Sequence, residues 1–177
     1  LLLECLLLAD GRVVSRRDII SRVWEYDFDP GSNLVEVYIG RLRDKLENGL
    51  LSQITHCFPT GDVANRLPNT SNIAFEYIEG EAILLLMNKM GIAGSSGSAC
   101  TSGSLEPSHV MRAMGIPYAA AHGTIRFSLS VYNTEAEIDR VIAAVPPIVA
   151  QLRKLSPYWT DKGPAANPEA AFAPTYA

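Results

Sequence analysis

Six apolar residues recur at helical spacing, Val35, Ile39, Leu42, Leu46, Leu50 and Ile54, and this stripe constrains the fold more than any other feature. Steps of three or four residues sustained over roughly twenty positions predict one long amphipathic helix that must bury its stripe against a second layer. Asn33-Leu34-Val35-Glu36 has the pattern of a capping box at its start, and Gly49 is its only weak helix former. The helix is expected to bridge two pieces of the chain, with the boundary inside it.

A core of ordinary size is within reach. The chain has 177 residues, 47% hydrophobic and 19% charged, which excludes wholesale disorder and allows one domain or two small ones. Fifteen Lys and Arg against nineteen Asp and Glu leave a net charge of -4. Residues 1–47 carry seven basic and nine acidic side chains and residues 48–177 carry eight and ten, so each part sums to -2. Neither part has the basic excess of a general nucleic-acid binder, and contacts to DNA would depend on local placement.

Cys5, Cys57 and Cys100 are odd in number and free of C-x-x-C or His-paired spacing, which argues against a disulfide framework or a zinc site. The opening run Leu1 to Leu8 falls short of the roughly 20 residues that span a bilayer and lacks a basic leader or cleavage site. A cytoplasmic protein is expected. The missing initial Met suggests a fragment whose true start lies elsewhere.

Before the long helix, Leu1 to Ala9 reads as an apolar helix closed by Asp10-Gly11. Ser15-Arg16-Arg17-Asp18 opens a second with Ile19, Ile20, Val23 and Trp24 behind it, and Asp27 to Gly31 breaks the chain. After the long helix, strands are expected at Asn72 to Tyr77, Ile92-Ala93 and Thr124 to Ser130. Helices are expected at Glu79 to Met90, ended by Gly91, and from about Leu105, capped by Ser104 and ended by Gly115 and Pro117. Thr134 should cap a long last helix that kinks at Pro146-Pro147. Interleaved strands and helices give a layered α/β domain, preceded by an all-α segment and followed by a Pro/Ala-rich tail.

The window Gly94 to Ser104 holds five Ser and three Gly, with no charge and no large apolar residue, so it cannot build a core. Cys100 at its centre is a nucleophile candidate, because a thiol in a solvated loop differs from the usual buried cysteine. The following helix N-terminus, His109 and His122 are candidate aids to its thiolate. The same window also reads as a linker with an incidental cysteine.

The ordered set Asn65-Arg66-Leu67-Pro68-Asn69-Thr70, Ser95-Ser96-Gly97-Ser98-Ala99-Cys100-Thr101-Ser102-Gly103-Ser104-Leu105-Glu106-Pro107 and His122-Gly123-Thr124-Ile125-Arg126-Phe127-Ser128 resembles the C-terminal part of a NifS-type cysteine desulfurase. The likeness runs from about Leu42 to the tail. It implies the small α/β domain of a fold-type I pyridoxal-phosphate enzyme, which converts L-cysteine to L-alanine and leaves a persulfide on a loop cysteine. By resemblance Cys100 is that cysteine, and it can also serve as an iron–sulfur ligand. The implied partners are an iron–sulfur scaffold protein and a second copy of the chain. Arg126 resembles the residue that grips the substrate carboxylate, a role that suits a planar guanidinium; read without the resemblance, it is an arginine in a surface pair. Val131 stands where members often have a second Arg.

The family's cofactor domain and Schiff-base lysine should precede these residues. Lys45, Lys89, Lys154 and Lys162 are the four lysines present, and none follows a His. No cofactor lysine is therefore assigned, and the chain by itself is expected not to turn over cysteine.

Residues 1–47 resemble a second family. Gly11-Arg12-Val13-Val14-Ser15-Arg16, Asp27-Phe28-Asp29-Pro30-Gly31 and Val35-Glu36-Val37-Tyr38-Ile39-Gly40-Arg41-Leu42-Arg43-Asp44-Lys45-Leu46 are similar to the helical core of an OmpR/PhoB-type winged-helix domain. The resemblance makes Arg41, Arg43 and Lys45 candidate DNA contacts on its third helix, with Arg41 and Lys45 on one face. A solvated helix face, shared with Asp44 and Glu47, explains them equally. The family's wing is replaced by Asn48 to Ile54.

The expected organisation is a truncated winged-helix segment at 1–47, a desulfurase small domain at 48–160 and a flexible tail at 161–177. The leading expectation is a persulfide-carrying domain. The alternatives are a response-regulator-type DNA-binding module fused to a desulfurase remnant, and a non-functional chimeric reading frame.

Overall fold

The computed structural model describes residues 21, 33–96 and 108–165. The chain divides into compact units at Leu1–Leu34 and Val35–Ala177. Apart from Ser21, which is helical, the helices expected before residue 33 lie outside the described residues, as does the Cys100 loop.

The predicted stripe forms one helix, α1, Leu34–Leu51. Ile39, Leu42, Leu46 and Leu50 on it are buried, as is Ile54 just beyond, and all belong to the core of the second unit. The winged-helix segment expected at 1–47 and this packing unit therefore overlap over Val35 to Glu47. Gly49, the weak helix former, has a packing reason. A methyl group there would collide with the side chain of Ile142, so the missing Cβ lets the last helix lie close against α1.

The elements that follow are β1, Cys57–Pro59; β2, Thr70–Phe75; α2, Gly80–Lys89; and β3, Ser95–Ser96. Beyond the loop come α3, His109–Ala113; α4, Tyr118–Ala121; β4, Thr124–Ser128; α5, Glu135–Leu155; β5, Trp159–Thr160; and β6, Gly163–Pro164. The main sheet has the order β1-β2-β4-β3 with every pair antiparallel, and β5 and β6 make a separate hairpin. Ile73 and Phe75 of β2, Ile125 and Phe127 of β4, and then Leu129 are buried in one cluster with residues of α1, α2 and α5. Alternation puts Asn72, Arg126 and Ser128 on the other face.

Two expected helix signals appear as read. Gly91 takes a positive φ of 71°, its N–H donates to the Asn88 carbonyl, and Ile92 N–H donates to Met87, which ends α2. Thr134 caps α5 in a full capping box with Glu137. Other expectations shift. Ile92 is used in closing α2 and is buried, so the edge strand starts at Ser95 rather than at Ile92. Ser108 caps α3, its hydroxyl accepting from Val110 N–H, so the described helix begins beyond Pro107 rather than at Leu105. α5 continues unbroken past Pro146-Pro147, with Val145, Ile148 and Val149 buried beside them, although the two prolines supply no N–H donors. β1, α4 and the β5–β6 hairpin are too short to show a period, and the hairpin takes in the first residues of the expected tail.

Gly123 marks the tightest point of the sheet. Phe75 N–H donates to its carbonyl, and a Cβ at this position would drive into the Phe75 carbonyl oxygen. The clash is with backbone, which cannot swing aside, so Gly123→Ala should cost about 3 kcal/mol in chemical denaturation. Thr134→Ala should cost about 1 kcal/mol by removing the α5 cap, with the sheet unaffected.

Candidate functional site

The antiparallel register sets Asn72 on β2, Arg126 on β4 and Ser95 on β3 in one row across the sheet. The Arg126 side chain is exposed and has no hydrogen-bond or ion-pair partner among the described residues. Its neighbour Asn72 is held firmly. The Asn72 carboxamide donates to Thr60 Oγ1 at 2.6 Å and approaches Met111 Sδ at 3.8 Å, while Thr60 N–H donates to the Asn72 carbonyl at 2.8 Å. A free guanidinium beside a fixed amide on an open sheet face can bind a carboxylate through paired N–H donors. Asn72 and Thr60 were not singled out from the sequence, because their pairing depends on contact between segments twelve residues apart.

β3 connects this row to the Ser/Gly window. Ser96, the last described residue before the loop, pairs with Ile125, next to Arg126. Cys100 itself lies outside the described residues. His109 is exposed in the first turn of α3. His122 is placed elsewhere, with Nδ1 3.5 Å from Glu79 Oε2 and its ring edge-on to Tyr118 at 4.4 Å. Its carbonyl accepts from Gly80 N–H, tying it to the start of α2.

The candidate DNA contacts fall on α1. Arg41 is exposed. Arg43 donates to Asp44 Oδ1 at 2.8 Å and to the Leu67 and Pro68 carbonyls at 3.4 Å. Lys45 pairs with Asp139 at 2.7 Å and Glu135 at 3.2 Å, and these carboxylates hold its pKa above the usual lysine value. Glu47, read from the sequence as part of a solvated face, is buried instead. It accepts both terminal nitrogens of Arg66 at 2.6 Å and the Ser71 hydroxyl at 2.7 Å, which replaces the water it gives up.

Cys57 is half-buried, and its thiol donates to the Ile54 carbonyl at 3.0 Å. Burial raises its pKa above the usual thiol value, and nearby Arg153 offsets this only in part. Among the described residues no group of His, Cys, Asp or Glu is placed to hold a metal ion, and no helix is long and apolar enough to cross a membrane.

Comparison with known proteins divides the chain in the same two ways that its motifs do. The family model described as "Transcriptional regulatory protein, C terminal" matches residues 1–56. A cysteine desulfurase of Azotobacter chroococcum mcd 1 is 75% identical over 138 residues, covering 78% of this chain and 35% of that protein. The cysteine desulfurase NifS of Azotobacter vinelandii is 74% identical over 138 residues, covering 78% of this chain and 34% of that protein. Among solved structures, a NifS-like protein from Rickettsia africae ESF-5 superposes with a TM-score of 0.57 at 29% identity, over 67% of this chain and 30% of that one. The chain spans about a third of the length of the curated relatives it matches. Most of it is thus similar in sequence and fold to NifS-type cysteine desulfurases, behind an N-terminal segment similar to the C-terminal domain of transcriptional regulatory proteins.

Proposed function

We propose that the α/β unit is the sulfur-carrying part of a cysteine desulfurase, in which Cys100 receives sulfur as a persulfide and Arg126 holds the carboxylate of L-cysteine. The observation that carries this reading is the pairing of Ser95 with Arg126. It anchors the cysteine loop beside an exposed guanidinium with no partner among the described residues. Cys100 stands four residues past Ser96, and an extended chain advances at most about 3.6 Å per residue, so the covalent tether keeps its Cα within roughly 14 Å of Ser96. The second anchor is Ser108, eight residues beyond Cys100 and fixed as the cap of α3. A carrier that collects sulfur at one site and delivers it to an iron–sulfur scaffold at another needs such a span between firm ends.

In the family, pyridoxal phosphate supplies the electron sink that loosens the substrate's C–S bond. The described lysines do not fit it. Lys45 is clamped by two carboxylates that raise its pKa, whereas a Schiff-base amine needs a lowered one. Lys89, Lys154 and Lys162 are exposed, on α2, on α5 and in the β5–β6 turn. Sulfur carriage by Cys100 is therefore proposed separately from turnover.

Two experiments follow. Alkylation resolved by mass spectrometry should modify Cys100 at least tenfold faster than Cys5 or Cys57 near neutral pH. Cys57 should lag further because its raised pKa leaves little thiolate at that pH, and its rate should keep climbing above pH 9. Equal rates for Cys57 and Cys100 would overturn the carrier reading. The match to regulatory proteins supports a second reading, DNA binding by the N-terminal segment. On α1 only Arg41 of the three candidate cations is without a partner among the described residues. Fluorescence anisotropy on duplex DNA should accordingly show binding through this helix with a log–log salt slope of about one charge; a slope of several charges, lost in an Arg41→Ala, Lys45→Ala variant, would favour the DNA-binding reading.

A further inference from the structure

A groove of about 650 Å³ opens between the turn after α1, the C-terminal half of α5 and the β5–β6 hairpin. Its floor holds Arg153, which is only 5% exposed. One guanidinium nitrogen donates to the His56 carbonyl at 2.9 Å, and the guanidinium carbon lies 4.1 Å from the Trp159 ring centroid. Nε has no hydrogen-bond partner and no carboxylate lies within ion-pair distance, among the described residues. A guanidinium carries five donors and keeps its charge at any ordinary pH. A buried cation so lightly compensated is costly unless an anion joins it. Burial lowers the Arg153 pKa, and the nearby Cys57 and Glu76 offset this only in part.

We propose that this groove binds a small organic monocarboxylate, with the acid group on Arg153 and Lys154 and an apolar body against Ile54, Val149 and Trp159. Lys154 is exposed at the rim and adds a second positive charge. Asp161, also lining the groove, opposes a second negative charge, which favours a carboxylate over a phosphate dianion. The volume lies in the range of small-molecule sites. The groove is separate from Arg126, which is exposed on an open sheet face, whereas Arg153 is buried.

The test uses the full chain, with benzoate as probe and the Trp159 indole N–H resonance, assigned by its loss in Trp159→Phe, as readout. Benzoate should give a saturable shift of Trp159. Neutral benzyl alcohol should give none, and inorganic phosphate should bind about tenfold more weakly. Lys154→Gln, at an exposed position, should weaken benzoate about threefold with the fold intact. Asp161→Asn should narrow the gap between phosphate and benzoate. Absence of a saturable shift, equal response to benzyl alcohol, or unchanged affinity in Lys154→Gln would overturn the proposal and leave Arg153 as a structural stack on Trp159.

Discussion

The pairing of β2 with β4 is the constraint from which the rest of the described structure follows. Five residues of β2, Thr70 to Ala74, lie opposite Ser128 to Thr124, and this register fixes both faces at once. On one face it lines up Ile73, Phe75, Ile125 and Phe127 as the surface on which α1, α2 and α5 bury their stripes. On the other it sets Asn72 against Arg126. A slip of one residue would exchange the faces, burying the guanidinium and exposing the core. The missing Cβ of Gly123 permits the close backbone approach at Phe75 that ends the pairing. The geometry of the candidate carboxylate site and the stability of the core therefore rest on the same hydrogen bonds.

A buried ion pair secures the helix layer to this sheet. Glu47 on α1 reaches Arg66 in the loop before β2 and Ser71 within it. Desolvating a carboxylate is costly, and the bidentate arginine and the hydroxyl offset that cost only in this one arrangement. The pair thus selects the position of α1 along the sheet more than it adds net stability. Its neighbours follow. With Glu47 turned inward, Lys45 faces the acidic first turns of α5 and Arg43 faces the loop carbonyls at Leu67 and Pro68. A helix whose sequence resembles a DNA-reading element spends two of its three candidate cations inside the α/β unit.

The sequence was most legible where one physical signal dominated. Long apolar stripes located α1 and α5, Gly91 closed α2, and Thr134 marked the cap of α5. Legibility failed where a tertiary contact decided the matter. Nothing local marks Glu47 as buried, because its partners stand 19 and 24 residues away. Pro146-Pro147 reads as an interruption, yet packing on both sides holds the helix together. At the candidate site, Arg126 was visible through a motif, while its row with Asn72 and Ser95 depended on strand order, which periodicity does not encode. The open groove at Arg153 was not legible at all, since the exit of α1 that lines it lies far along the chain from α5 and the hairpin.

The contrast between Cys57 and Cys100 is what gives the sulfur-carrier reading its physical content. Cys57 opens a strand, donates its thiol to the Ile54 carbonyl and has its pKa raised by burial, so it behaves as a small core residue. Cys100 stands in eleven residues, Gly94 to Ser104, with no side chain able to join a core. Sulfur carriage by Cys100 therefore requires the two cysteines to differ in reactivity. If the loop carries sulfur, its anchors must not move when it does, and both are well fixed: Ser96 by the β3–β4 ladder and Ser108 by its own cap on α3. The sheet then acts as the fixed frame. Cutting the frame at Arg126 should affect which substrate is held, whereas changing the length of the loop should affect how far the sulfur can be delivered.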